Sequence, residues 1–123
     1  MRFLNVVLAF HILAAMAASS AVAADVETGK TAFKKCALCH AIEAGKNKIG
    51  PSLFEVVGRI SATLDNFNYS EAVKKFDHVW DEDTLDKYLA DPREVVPGTK
   101  MIFPGIKDKT ARDDVIAYLE TLK

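Results

Sequence analysis

Apolar positions recur at helical spacing along most of the chain beyond residue 24. Val26, Gly29, Ala32 and Phe33 share one helical face, with Asp25 as cap and acids in the first turn, and this helix runs into Cys36. From Ala41 to Asn68 no period is sustained, and Gly45, Gly50, Pro51 and Gly58 mark turns. Ser70 caps a short helix ending at Phe76. Trp80-Asp81-Glu82-Asp83-Thr84-Leu85 is a strong helix start: Asp81 caps, the acids suit the positive end, and Trp80 staples to Leu85. That helix buries Leu85, Tyr88 and Leu89 and stops near Pro92. Arg93 to Ile106, with Pro97, Gly98, Pro104 and Gly105, is predicted as an ordered loop. Asp108 or Thr110 caps a last helix whose apolar face is Ala111, Val115, Ile116, Tyr118, Leu119 and Leu122. No strand pattern is present. The class is all-α with long loops, and long loops in a small domain are functional or wrap around something.

The first 24 residues follow a different rule. Arg2 precedes an apolar run from Phe3 to Ala18, broken by Asn5 and His11, and Ala21-Val22-Ala23-Ala24 offers two adjacent small-residue cleavage points. The run is shorter than the roughly 20 residues of a spanning helix. This predicts a cleavable signal peptide over 1–24, an exported domain over 25–123, and a periplasmic location. Processing would remove Met1, Met16, His11 and Arg2, leaving Met101 as the one methionine and His40 and His78 as the histidines. The formal charge moves from −1 to −2, which disfavours nucleic acid as a partner.

Cys36 and Cys39 are the only cysteines, in Cys36-Ala37-Leu38-Cys39-His40. A disulfide across two residues closes too small a loop to stabilise much. A thioredoxin-like pair needs a βαβ setting, and a zinc site needs four ligands. The C-x-x-C-H pattern instead fits covalent haem: each thiol adds to a vinyl group and the adjacent imidazole becomes the proximal iron ligand. A carrier also fills the second axial position. Met101, on a loop braced by two Pro-Gly pairs, is the favoured candidate, and His78 reads as a surface or packing histidine.

These residues give the chain a close resemblance to the class I cytochromes c, the family of mitochondrial cytochrome c and bacterial cytochrome c2. The matching segments are Gly29 to Phe33, the Cys36–His40 motif, Gly50-Pro51-Ser52-Leu53, Gly58-Arg59, Phe67-Asn68-Tyr69-Ser70 and Trp80. They continue through Leu85 to Leu89, Pro97-Gly98-Thr99-Lys100-Met101-Ile102-Phe103 and Ile116-Ala117-Tyr118-Leu119. The resemblance implies helices and long loops around one covalently bound haem c, with Cys36 and Cys39 attached and His40 and Met101 as iron ligands. It implies that the Pro51 carbonyl orients His40, that Arg59, Tyr69 and Trp80 reach the haem propionates, and that Tyr88 and Thr99 lie on the Met101 side. It also implies that Gly29 lets the first helix cross the last near Tyr118. Two loop segments are a residue shorter than in mitochondrial members, and Val73 stands where many relatives carry a polar residue.

The function implied is single-electron transfer without substrate chemistry, hence a carrier and not an enzyme. The expected donor is a quinol-oxidising, cytochrome bc1-type complex, and the acceptor a terminal oxidase, reductase or photosynthetic reaction centre. Docking would be peripheral at a membrane surface, by a monomer. Lys34, Lys35, Lys46, Lys48, Lys100, Lys107 and Lys109 are expected to rim the exposed haem edge, away from the acids of 81–86 and 113–114, and so to steer docking. The alternative is a haem-based small-ligand sensor or peroxidase-type enzyme, which needs an easily vacated iron position and is opposed by Met101.

Overall fold

The computed structural model describes Ala18 and residues 21–123. Most of the leader therefore lies outside the described residues. Five α-helices follow in order: α1 Val26–Ala32, α2 Glu71–Phe76, α3 Glu82–Ala90, α4 Pro92–Val95 and α5 Lys109–Glu120, with a 3₁₀ segment Phe33–Leu38 after α1. The four expected caps are in place: the carboxylates of Asp25, Asp81 and Asp108 and the hydroxyl of Ser70 each accept a hydrogen bond from the backbone N–H three residues on.

The α1–α5 crossing organises the domain. A Cβ on Gly29 would stand 1.9 Å from the Asp114 carbonyl oxygen, so only glycine lets the two backbones approach this closely. The approach brings Phe33 onto Tyr118, their ring centres 5.0 Å apart. Around this contact the core collects Val56, Trp80, Leu85, Leu89, Val96, Val115, Ile116, Leu119 and Leu122. Trp80 and Leu85 are both buried there, as the staple pattern predicts.

Two features differ from the sequence pattern. The helix expected to run into Cys36 tightens to 3₁₀ at Phe33. Cys36 lies within that winding, and Cys39 caps it, its N–H bonding the Cys36 carbonyl at 3.0 Å. The second is α4, inside a stretch expected to be loop. Asp91 ends α3 and also caps α4, its carboxylate accepting from the Glu94 N–H at 3.2 Å. Pro92 terminates one helix and occupies the first turn of the next, where its missing N–H costs nothing.

All regular elements among the described residues are helical. The only extended pairing there is an isolated antiparallel bridge, Ile60 with Val79. It is flanked by hydrogen bonds from Trp80 N–H to the Arg59 carbonyl and from Ser61 N–H to the His78 carbonyl, both 2.8 Å. The loop after α4 returns to the end of α3: Ile106 N–H meets the Leu89 carbonyl at 2.7 Å, and Lys107 Nζ meets the Ala90 carbonyl at 2.8 Å. Gly105, at φ +100°, passes so close that a Cβ would stand 2.1 Å from the Ala90 oxygen.

Between α3 and α5, Asp86 accepts from Arg112 Nε at 2.7 Å and lies 3.5 Å from Lys109 Nζ. The Arg112 hydrogen bond is the main cause that holds the Asp86 carboxyl below its ordinary range. A depressed carboxyl stabilises the fold above the ordinary aspartate pKa and loses that contribution as pH falls through the lower folded value. Asp86→Asn is therefore expected to cost about 1 kcal/mol at neutral pH. The gap from wild type should close on acidification below about pH 4, read by denaturant unfolding at several pH values. Gly29→Ala is expected to cost about 3 kcal/mol or more, because the new methyl meets backbone that cannot move alone. A thermal midpoint equal to wild type would contradict the crossing described.

Candidate functional site

The 3₁₀ segment delivers the cysteines. Both are free thiols and half-buried. Burial pushes the Cys36 thiol up from its ordinary value. The backbone then folds over itself: the N–H groups of Cys39 and His40 both reach the Cys36 carbonyl, at 3.0 and 2.9 Å, and Gly50 N–H reaches the Cys39 carbonyl at 2.8 Å. Lys48 Nζ donates to the Ala37 carbonyl at 2.8 Å.

Gly50 lies flat against the His40 ring, where a Cβ would stand 2.4 Å from Cε1. His40 Nδ1 lies 2.7 Å from the Pro51 carbonyl. A carbonyl only accepts, so Nδ1 carries the proton and donates, and Nε2 keeps its lone pair. Burial lowers the pKa of the imidazole, the Pro51 carbonyl opposes this, and the Arg59 charge adds to the lowering. A neutral ring with a fixed tautomer is the form that binds a metal.

The Pro51 turn has its own supports. Ser52 is buried, its hydroxyl donating to the Glu43 carbonyl at 2.6 Å, and its N–H donates to Asn47 Oδ1 at 2.9 Å. Neither Asn47 nor the role of Ser52 was read from the sequence. The Gly50-Pro51-Ser52 run was the available signal, but it carries no information on which distant carbonyl a serine will bond.

Arg59 is half-buried, and its two terminal nitrogens donate to the carbonyls of Phe54 and Ser52 at 3.0 and 2.9 Å. Burial pulls its pKa down while nearby Tyr69 raises it. The Tyr69 hydroxyl accepts from Leu64 N–H at 3.3 Å, which leaves its own proton to donate. Trp80 is buried against Tyr88 and Phe76, with ring centres at 4.8 and 5.3 Å. The bridge at Ile60–Val79 fixes Arg59 and Trp80 to each other through their backbones. Guanidinium, phenol and indole are all donors, which is the set a pair of carboxylates needs.

Met101 sits half-buried on the loop after α4. Tyr88, on α3, donates its hydroxyl to the thioether sulfur at 3.3 Å, and Met101 N–H donates to Thr99 Oγ1 at 3.2 Å. Burial raises the Tyr88 phenol, and hydrogen bonding with Thr99 opposes that. The phenol therefore stays protonated and remains a donor. His78 is exposed, its ring stacked on Phe76 at 4.3 Å and its Nδ1 turned to the Phe76 carbonyl. This is the packing role expected of it.

The lysine pattern is only partly as expected. Lys109 is tied to Asp86 and Asp113, among the acids, and Lys46 is paired with Glu43 at 2.9 Å. Both sit closer to anionic neighbours than composition alone conveys. Leu38, Ile49 and Ile102 are 77%, 82% and 90% exposed, flanking the cysteine and methionine segments.

Two half-buried thiols three positions apart, a neutral imidazole with a free Nε2 and an oriented thioether form a donor set that fits a covalently held haem. Gly50→Ala is expected to displace the His40 ring, lowering stability by about 2 kcal/mol or more. A thermal unfolding midpoint unchanged from wild type would contradict the contact.

The sequence profile of the Cytochrome c family matches residues 26–123. A cytochrome c2 of Rhodopila globiformis is 51% identical over 85% of this chain and 99% of its own length. A cytochrome c2 of Blastochloris viridis is 43% identical over 94% of this chain and 91% of its own. In three dimensions the chain is similar to cytochrome cH from Methylobacterium extorquens, at a TM-score of 0.75 and 47% identity over 79% of this chain and 98% of that one. The fold is that of the class I cytochromes c, and the cofactor is one covalently bound haem c. The chain belongs to the cytochrome c family and is a monohaem electron carrier.

Proposed function

We propose that the protein is exported to the periplasm and there passes single electrons from a cytochrome bc1-type, quinol-oxidising complex to a terminal oxidase, reductase or photosynthetic reaction centre. The observation that carries this reading is the pair of restrained donors: His40, held by the Pro51 carbonyl, and Met101, held by the Tyr88 hydroxyl. When bound, the haem supplies an iron that gains and loses one electron.

Cys36 and Cys39 would carry the thioether links, and His40 and Met101 would be the axial ligands. The Pro51 carbonyl orients His40 and fixes its tautomer, while burial favours the neutral ring. Tyr88 and Thr99 fix the direction of the Met101 sulfur, so a ligand that stays put needs little rearrangement in either oxidation state. Arg59, Tyr69 and Trp80 would bind the propionates. The Arg59 guanidinium already serves two backbone carbonyls, so its part there is to supply charge and its remaining N–H groups. No residue is assigned a catalytic role.

Export is supported by the leader pattern and by the match to the Blastochloris viridis cytochrome c2, which spans more of this chain than residues 25–123 contain. No helix among the described residues is long and apolar enough to cross a membrane. Docking is supported by exposed Leu38, Ile49 and Ile102 beside Lys34, Lys35 and Lys100. An apolar centre with a cationic rim suits brief contact with acidic partners and loses speed as salt rises.

The test is spectroscopic. Haem-loaded wild type should show a ferric sulfur-to-iron band in the near infrared and take up no carbon monoxide when reduced. Met101→Ala should lose the band and bind carbon monoxide. Rapid uptake by the wild type would overturn the carrier reading in favour of a small-ligand sensor or peroxidase-type enzyme.

A further inference from the structure

Asp114, on α5, is 6% exposed. An aspartate that deeply buried requires a cation or several donors. Among the described residues its carboxylate has no ion-pair partner: the ion pairs there involve Glu43, Glu71, Asp86 and Asp113. Its one recorded donor is the backbone N–H of Asp25, at 2.7 Å. That nitrogen belongs to the peptide bond after Ala24, one of the two bonds the leader pattern marks for cleavage.

We propose that export processing cuts the Ala24–Asp25 bond and that the new amino terminus forms an ion pair with Asp114. The inference rests on the export reading above and goes further, choosing one bond and giving its product a receptor. A signal peptidase would direct water to the Ala24 carbonyl. The C–N bond breaks, the carbonyl carbon takes the hydroxyl, and the Asp25 nitrogen takes the hydrogen and then a solvent proton. A neutral amide donor becomes an ammonium at the same position.

The surroundings fit both steps. Residues 21–25 lie outside any regular element and are exposed, with Val22 at 89%, and Asp25 itself has extended backbone, which leaves the bond accessible to a peptidase. Among the described residues Asp25 is the first with a hydrogen bond to the domain, its amide on α5 and its carboxylate on the Thr28 N–H at 2.7 Å. Cleavage one bond earlier would leave Ala24 in front and Asp114 still facing a neutral amide. The ammonium would lie at the positive end of α1, an unfavourable place that the carboxylates of Asp25 and Glu27 offset. The pair would join the two helices at the crossing set by Gly29. The precursor lacks this link, so the crossing would gain strength only after the leader has gone.

Intact-mass measurement of the exported, haem-loaded protein is the first test. A chain beginning at Asp25 is expected. One beginning at Ala24 overturns the inference and leaves the export reading standing, whereas one beginning at Met1 sinks both. The second test compares unfolding of the haem-loaded protein beginning at Asp25 with the same protein carrying Ala24, each with and without Asp114→Asn. The Asp25 form should be several-fold more favourable in its folding equilibrium than the Ala24 form. Asp114→Asn should cost it about tenfold more than it costs the extended form, as expected for loss of a part-buried charge pair. Equal stability of the two chains overturns the ion pair, and does so even if Asp114→Asn fails to fold.

Discussion

The contact on which this molecule depends is backbone against backbone, where α1 crosses α5 at Gly29. Side chains elsewhere adjust to their neighbours, but two main chains at such a distance set an angle and an origin for everything else. α1 is short, and alone it would not persist in water. Held on α5, it fixes where Phe33 enters the core and therefore where the tighter winding begins. Cys36 follows three residues later and Cys39 three beyond that. The position of the cofactor attachment thus descends from a missing Cβ near the start of the domain.

From there the site is assembled by main-chain carbonyls more than by side-chain partners. Pro51 orients His40, Phe54 and Ser52 hold Arg59, and Arg59 in turn holds Trp80 through its own carbonyl. Loops without regular structure still have every polar group to satisfy, and here they do it by bonding across to one another. Met101 is the exception. Its sulfur is directed by a phenol on α3, so His40 and Met101 are supported by different parts of the chain.

Much of this was legible in the sequence, unevenly. Caps were readable because an Asp or Ser just before a helical run has a local physical cause: Asp25, Ser70 and Asp81 are found where expected, and of the two residues offered for α5 it is Asp108 that caps. The C-x-x-C-H motif and Met101 on its Pro-Gly-braced loop were readable because few chemistries need those residues in that setting. α4 was not, because Pro92 both stops a helix and starts one, and only Asp91's double use decides it. Burial of Asp114 was hidden as well. An aspartate on a helix face reads as solvated, and its partner lies 89 positions away. The charge of Lys109 was overcounted for the same reason, since Asp86 comes from another helix. Local rules carry local structure, and pairings between distant segments have to be seen.

The segment that carries Met101, with α4 included, begins and ends at the last turn of α3, where Leu89 and Ala90 receive Ile106 and Lys107. A segment that closes on itself adds little to the ordering entropy of the rest, since its ends are already together. It is nevertheless tied to both long helices: Tyr88 on α3 holds the Met101 sulfur, and Arg112 on α5 donates to the Ile106 and Lys107 carbonyls. A change of length between those anchors would be absorbed within the loop, whereas a change at an anchor would be felt in the helices that carry it.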